Sequence, residues 1–156
     1  MKGNPEVIAS LNHLLAEELT AINQYMVHSE MCDNWGYARL HKAIERIAVE
    51  EMKHAEKLIA RVLFLEGLPI VSQLNPLKLG KEVKSIIEND LEGESGAISS
   101  YNKAIALATD LRDAGTRELL ETILEDEERH LDFHEAHRDQ LEQMGLPVFL
   151  ANQTRE

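Results

Sequence analysis

Hydrophobic residues recur every three or four positions along four long stretches of the chain, the spacing of one buried stripe on an α-helix, and each stripe is interrupted by polar residues near its middle. The first runs through Ile8, Leu11, Leu15, Glu18, Ile22 and Tyr25. Asn4-Pro5-Glu6 precedes it as an N-cap, a proline at the first helical position and an acid on the positive end of the helix dipole. Asp33-Asn34-Trp35-Gly36 ends it. The second stripe is Leu40, Ile44, Ile47, Glu51, His54, Leu58, Val62 and Leu65, with Gly67-Leu68-Pro69 expected to close it and Gly67 as the C-cap. Val83, Ile87, Leu91, Glu94, Ile98, Tyr101 and Ile105 make the third, which fades between Asp110 and Gly115. The fourth is Leu120, Ile123, Glu127, His130, His137, Leu141 and Met144, stopped by Gly145 and Pro147.

The links after the first and third helices are a few residues long, so each pair is expected to be an antiparallel hairpin. The middle link, from Gly67 to about Gly80, holds two prolines and is long enough, when extended, to run the length of a bundle. The expected fold is therefore all-α: a four-helix bundle with one long crossover between the second and third helices and a short C-terminal helix. A single domain is expected over residues 1–156, with the bundle at about 4–145 and the tail helix at about 147–156.

The polar interruptions repeat. Shifting the sequence by 76 positions superimposes Glu18-Leu19-Thr20-Ala21-Ile22-Asn23-Gln24-Tyr25 on Glu94-Ser95-Gly96-Ala97-Ile98-Ser99-Ser100-Tyr101, both E-x-x-A-I-x-x-Y. The same shift superimposes Glu50-Glu51-Met52-Lys53-His54 on Asp126-Glu127-Glu128-Arg129-His130, each with E-x-x-H. A spacing of three puts Glu51 with His54, and Glu127 with His130, on one helix face. All six groups fall midway along their helices and should meet at one level of an aliphatic core, where an unpaired carboxylate costs several kcal/mol or takes up a proton. No lysine or arginine interrupts these stripes. Two divalent ions would supply the missing +4, and two ferric ions bridged by an oxide sum to the same charge, so such a site changes redox state without leaving net buried charge. Carboxylate and imidazole donors without thiolate favour iron or manganese over structural zinc.

Composition narrows the function. The formal charge is −12, which argues against nucleic acid or an anionic membrane as partner and for cations. A single cysteine, Cys32, excludes an intrachain disulfide and a four-thiolate metal site, and reads as a buried structural thiol. The first residues show no charged leader followed by an apolar run, and no apolar stretch reaches the length of a membrane span, so a cytoplasmic location is expected. Met31, Tyr37 and Phe149 lie outside the four stripes and are expected on outward faces covered by neighbouring chains.

With these residues in place the chain resembles the bacterioferritins over essentially its whole length. Glu18, Glu51, His54, Glu94, Glu127 and His130 match that family's ferroxidase ligands one by one, and Trp35-Gly36 and Leu63-Phe64-Leu65-Glu66-Gly67-Leu68-Pro69 resemble family signatures. The resemblance implies a ferritin-like bundle that binds two iron ions per chain, oxidises Fe(II) with oxygen or peroxide, and stores ferric mineral inside a homo-oligomeric shell of 24 chains. It also implies a haem, of b type, shared by two chains with one axial methionine from each, and a small electron-transfer protein as partner in iron release. Met52 is the matching methionine, turned about a hundred degrees from Glu51 and so away from the core; the competing reading is a hydrophobe in a subunit interface. Tyr25 and Tyr101 are placed either to bond a ligand carboxylate, Tyr25 also to donate an electron, or simply to fill the core. His130, His134 and His137 share one side of the fourth helix, as a transit path or as interface histidines. On the inner face of the second helix, Arg46 and Glu50 stand where some members carry a histidine and an aspartate, a departure that argues against an accessory iron site there. The rival function on this fold is a non-storage di-metal enzyme, a rubrerythrin-like peroxidase or a manganese catalase.

Overall fold

The computed structural model describes residues 1–155, leaving only Glu156, the last position of the expected tail helix, outside. Five helices follow in order: α1 (Pro5–Asn34), α2 (Ala38–Phe64), α3 (Val83–Asp110), α4 (Ala114–Met144) and α5 (Leu146–Gln153). No strand occurs among the described residues. Asn4 caps α1 by accepting a 2.8 Å hydrogen bond from the Glu6 N–H, and Asp113 caps α4 at the Thr116 N–H. α1 pairs mainly with α2, and α3 with α4. The two hairpins then face each other so that α1 opposes α3 antiparallel, as the pairings Gln24–Asp90 and Glu17–Ser100 require.

The long crossover runs exposed along α1. It is held there by a polar stripe at four-residue multiples: Asn12 bonds the Leu68 carbonyl and the Ile70 N–H, Thr20 accepts from Asn75 N–H, Gln24 from Lys78 N–H, and His28 from Gly80 N–H. A methyl group at Gly80 would stand 2.5 Å from the Ile86 nitrogen, so only glycine lets the crossover turn into α3 here.

Buried residues form two apolar clusters, one at each end of the bundle. Leu11, Leu15, Leu58, Val62, Leu120 and Ile123 lead the first; Tyr25, Cys32, Leu40, Ile44, Val83 and Ile87 belong to the second. Three sequence expectations need correction. Met31, Tyr37 and Phe149 do not wait on the surface for a neighbour: α5 folds back after the left-handed Gly145 (φ 79°) and seats Phe149, fully buried, in the second cluster, where Met31 and Tyr37 pack against it. Met144 is exposed because the fourth stripe ends before that turn. At the end of α2 the left-handed residue is Glu66 (φ 59°) and not Gly67. Gly67 is required for a different reason, since a methyl group there would lie 2.8 Å from Ile8 Cγ2.

Candidate metal centre

Between the two apolar clusters lies a polar layer, and every predicted ligand is in it. Glu18 comes from α1, Glu51 and His54 from α2, Glu94 from α3, Glu127 and His130 from α4, and all six are essentially excluded from solvent. They form two overlapping groups, Glu18–Glu51–His54–Glu127 and Glu51–Glu94–Glu127–His130, within each of which donor atoms lie within 4.8 Å of one another. Glu51 and Glu127 belong to both. The His54 and His130 rings are 6.0 Å apart.

Both histidines turn Nδ1 inward. His54 Nδ1 is 2.8 Å from Glu51, 2.9 Å from Glu127 and 3.6 Å from Glu18, while His130 Nδ1 is 3.3 Å from Glu51 and 3.7 Å from Glu94. Glu94 Oε2, Glu127 Oε1 and His130 Nδ1 are buried with no hydrogen-bond partner among the described residues; His54 lies near Glu127 Oε1 but out of line for a bond. Orphaned acceptors at this depth are costly unless a cation completes them. Hard oxygen donors with two imidazoles fit two ions of the iron or manganese type.

Charge crowding shows in the proton affinities. Burial, and then the neighbouring Glu51 carboxylate, pushes Glu18 up to about 8, and the same two causes push Glu127 to about 8. Glu51 is raised by burial and Glu94 far above the usual carboxylate range by burial and Glu127. Burial alone would lower His54, but the carboxylates of Glu127, Glu18 and Glu51 gathered around its Nδ1 raise it well above its ordinary value. Without metal, the site balances itself with protons.

The surrounding contacts cross between the repeats. Tyr25 of the first half donates to Glu94 of the second, and Tyr101 of the second to Glu18 of the first. Outside the histidines, Glu50 accepts from His130 Nε2 at 2.7 Å and Asp126 from His54 Nε2 at 3.0 Å, which fixes each ring with Nδ1 toward the centre. The 76-residue shift aligns Glu50 with Asp126, but sequence reading did not assign either to the histidines. It also passed over the fully buried His28–Asp90 pair, 2.8 Å apart, because both sit beside the apolar stripes.

His134 and His137 do not extend a path from His130. His134 is buried, stacked on Tyr25 with ring centres 5.7 Å apart, and its Nε2 is 2.9 Å from the Tyr25 oxygen. Since Tyr25 gives its proton to Glu94, His134 presents N–H, and burial lowers its pKa to about 3 so that it stays neutral. His137 Nδ1 is 2.8 Å from the Phe133 carbonyl, and its ring packs on Phe133 and Phe149. An opening to the centre lies elsewhere: a cavity between α1 and α3, rimmed by Glu17, Gln24, Lys78 and Glu92, reaches Glu18, Glu51, Glu94 and Glu127. Met52 lies half-exposed on the outer face of α2 beside exposed Val49.

The ferritin-like domain family model matches residues 8–144. Bacterioferritin of Brucella melitensis biotype 1 is 43% identical over 145 residues, covering 93% of this chain and 90% of that protein. Those of Rhodobacter capsulatus (40%, covering 96% and 92%) and Mycolicibacterium paratuberculosis (38%, covering 97% and 95%) are similar over nearly their whole length. The chain belongs to the bacterioferritin family. Iron storage is the function that bacterioferritin membership carries, and the buried carboxylate–histidine cluster is compatible with a di-iron site. The peroxidase and catalase alternatives are not favoured. No helix among the described residues is long and apolar enough to cross a membrane.

Proposed function

We propose that the chain is a ferroxidase whose six ligands, Glu18, Glu51, His54, Glu94, Glu127 and His130, hold two Fe(II) substrate ions while each gives one electron to oxygen or peroxide. The carrying observation is the pair of donor groups sharing Glu51 and Glu127 with buried, unpartnered oxygens. Four carboxylates balance two divalent ions, and the shared pair keeps the ions together for a two-electron acceptor. Tyr25 and Tyr101 hold Glu94 and Glu18 in place by hydrogen bonds, and Tyr25 is the nearer candidate to supply an additional electron because His134 supports its oxygen. Mixing metal-free protein with two Fe(II) per chain should give a rapid ferric absorbance rise. Glu18→Ala and His130→Ala variants that oxidise iron as fast as the parent would overturn the assignment.

The oxidised iron then passes to mineral inside a homo-oligomeric shell of 24 chains in the cytoplasm, with a small electron-transfer protein returning electrons for release. Exposed apolar residues on α2 and the crossover, such as Val49, Phe64, Leu68 and Val71, support burial against other copies. Sedimentation showing a stable particle no larger than a dimer would refute the shell. Met52 fits haem: its thioether is a soft donor, uncovered by its own chain and flanked by Val49 one turn earlier. One Met52 from each of two chains would hold a b-type haem, which when bound supplies an electron path toward the stored mineral.

A further inference from the structure

The cavity between α1 and α3 gives the metal centre an open side. The opposite side, between α2 and α4, is closed by an arrangement that ligand binding alone does not require. Arg129 reaches across it, donating from Nη1 to Glu50 at 3.1 Å and from Nη2 to Asp126 at 2.6 Å. Those two carboxylates are the outer partners of His130 and His54. One guanidinium thus ties together the groups that orient both histidine ligands, one from each half of the repeat. Its planar fork is suited to bridging two carboxylates, which a lysine ammonium does not reproduce.

We propose that Arg129 is a positioning residue that latches the α2–α4 side of the centre and thereby slows the escape of bound divalent ions. This rests on the six residues being the metal ligands. Arg129 acts at a distance from the ions, through Glu50 and Asp126. Two effects of opposite sign meet here. Its positive charge repels bound cations, so losing it would hold them more firmly; losing its two hydrogen bonds frees Glu50 and Asp126 and loosens the histidines. The side chain of Arg129 is 57% exposed, where solvent and salt screen the charge but not the contact geometry, so the second effect prevails.

The test uses the assembled full-length protein loaded with Co²⁺, followed by transfer of the ion to excess EDTA. Arg129→Ala should release Co²⁺ about tenfold faster, the lower end of what loss of an outer ligand partner does to metal sites. Arg129→Lys keeps the charge but not the bridge, and should release it nearly as fast as Arg129→Ala; both variants should melt within a degree or two of the parent, because exposed ion pairs contribute little stability. Release from Arg129→Ala within a factor of two of the parent overturns the latch, as does a parent-like rate in Arg129→Lys. A parent that binds no Co²⁺ at the centre overturns the ligand assignment and the latch with it, whereas two ions in the parent with unchanged release in the variants overturns the latch alone.

Discussion

Glu94 and Glu18 are each private to one donor group, whereas Glu51 and Glu127 are shared, and this division predicts what single substitutions do to stoichiometry. In Glu94→Gln the group Glu51–Glu94–Glu127–His130 loses one negative charge, while Glu18–Glu51–His54–Glu127 keeps all of its donors. An ion among atoms no more than 4.8 Å apart sits closer than about 4 Å to each, where two unit charges attract by about 4 kcal/mol at an effective dielectric constant of about 20, and a divalent ion by about twice that. Solvation lost on burial offsets much of this. Even if only about 2 kcal/mol survives, the affinity for one of the two ions falls about thirtyfold, at 1.4 kcal/mol per factor of ten. Calorimetric titration of metal-free protein with Co²⁺ should therefore show one site near the parent affinity and one weakened by at least that factor. Glu18→Gln should weaken the other site, and Glu127→Gln should weaken both. Two sites of parent affinity in Glu94→Gln would show that the ions are not held as two overlapping groups.

Glu18 and Glu127 hold protons up to about pH 8 in the folded metal-free chain but lose them near 4.5 when unfolded, so the folded state binds more protons between those values. The melting temperature of metal-free protein should fall as pH rises from about 4.5 to about 8, and metal binding at pH 7 should release protons into a weakly buffered solution; a melting temperature rising over that window would contradict the proton-filled site. Met52→Leu should abolish the low-spin haem spectrum of the purified protein while leaving Fe(II) oxidation within a factor of two, and retained methionine-type spectra would remove Met52 as the axial ligand. Cys32 is buried, and burial followed by Asp90 pushes its thiol up to about 12, so iodoacetamide should leave the native protein unmodified and label it only after denaturation, as mass spectrometry would show.

The helices and the metal layer were legible because both are written on one face of each helix. A stripe such as Leu40, Ile44, Ile47, Glu51, His54, Leu58 records burial directly, and each residue named there is buried. What lies beside the stripes was not legible. Asp90 and His28 are buried through each other and through the crossover, a pairing that depends on how the hairpins meet. Phe149 turns inward because Gly145 reverses the chain, a local conformation that periodicity does not encode. Glu50 and Asp126 lie beside the stripes, and only the three-dimensional approach of α2 to α4 gives them the histidines as partners.

The exchange of partners between the two repeats bears on how the centre is completed. Glu18 depends on Tyr101, Glu94 on Tyr25, His130 on Glu50 and His54 on Asp126. Neither helical hairpin contains a complete support for its own ligands, and each four-donor group draws on both hairpins, so neither hairpin alone offers the whole centre. Two identical hairpins meeting about a twofold axis would have all of it at once. The centre is thus a property of the encounter: each four-donor group is complete only where α1–α2 is docked onto α3–α4.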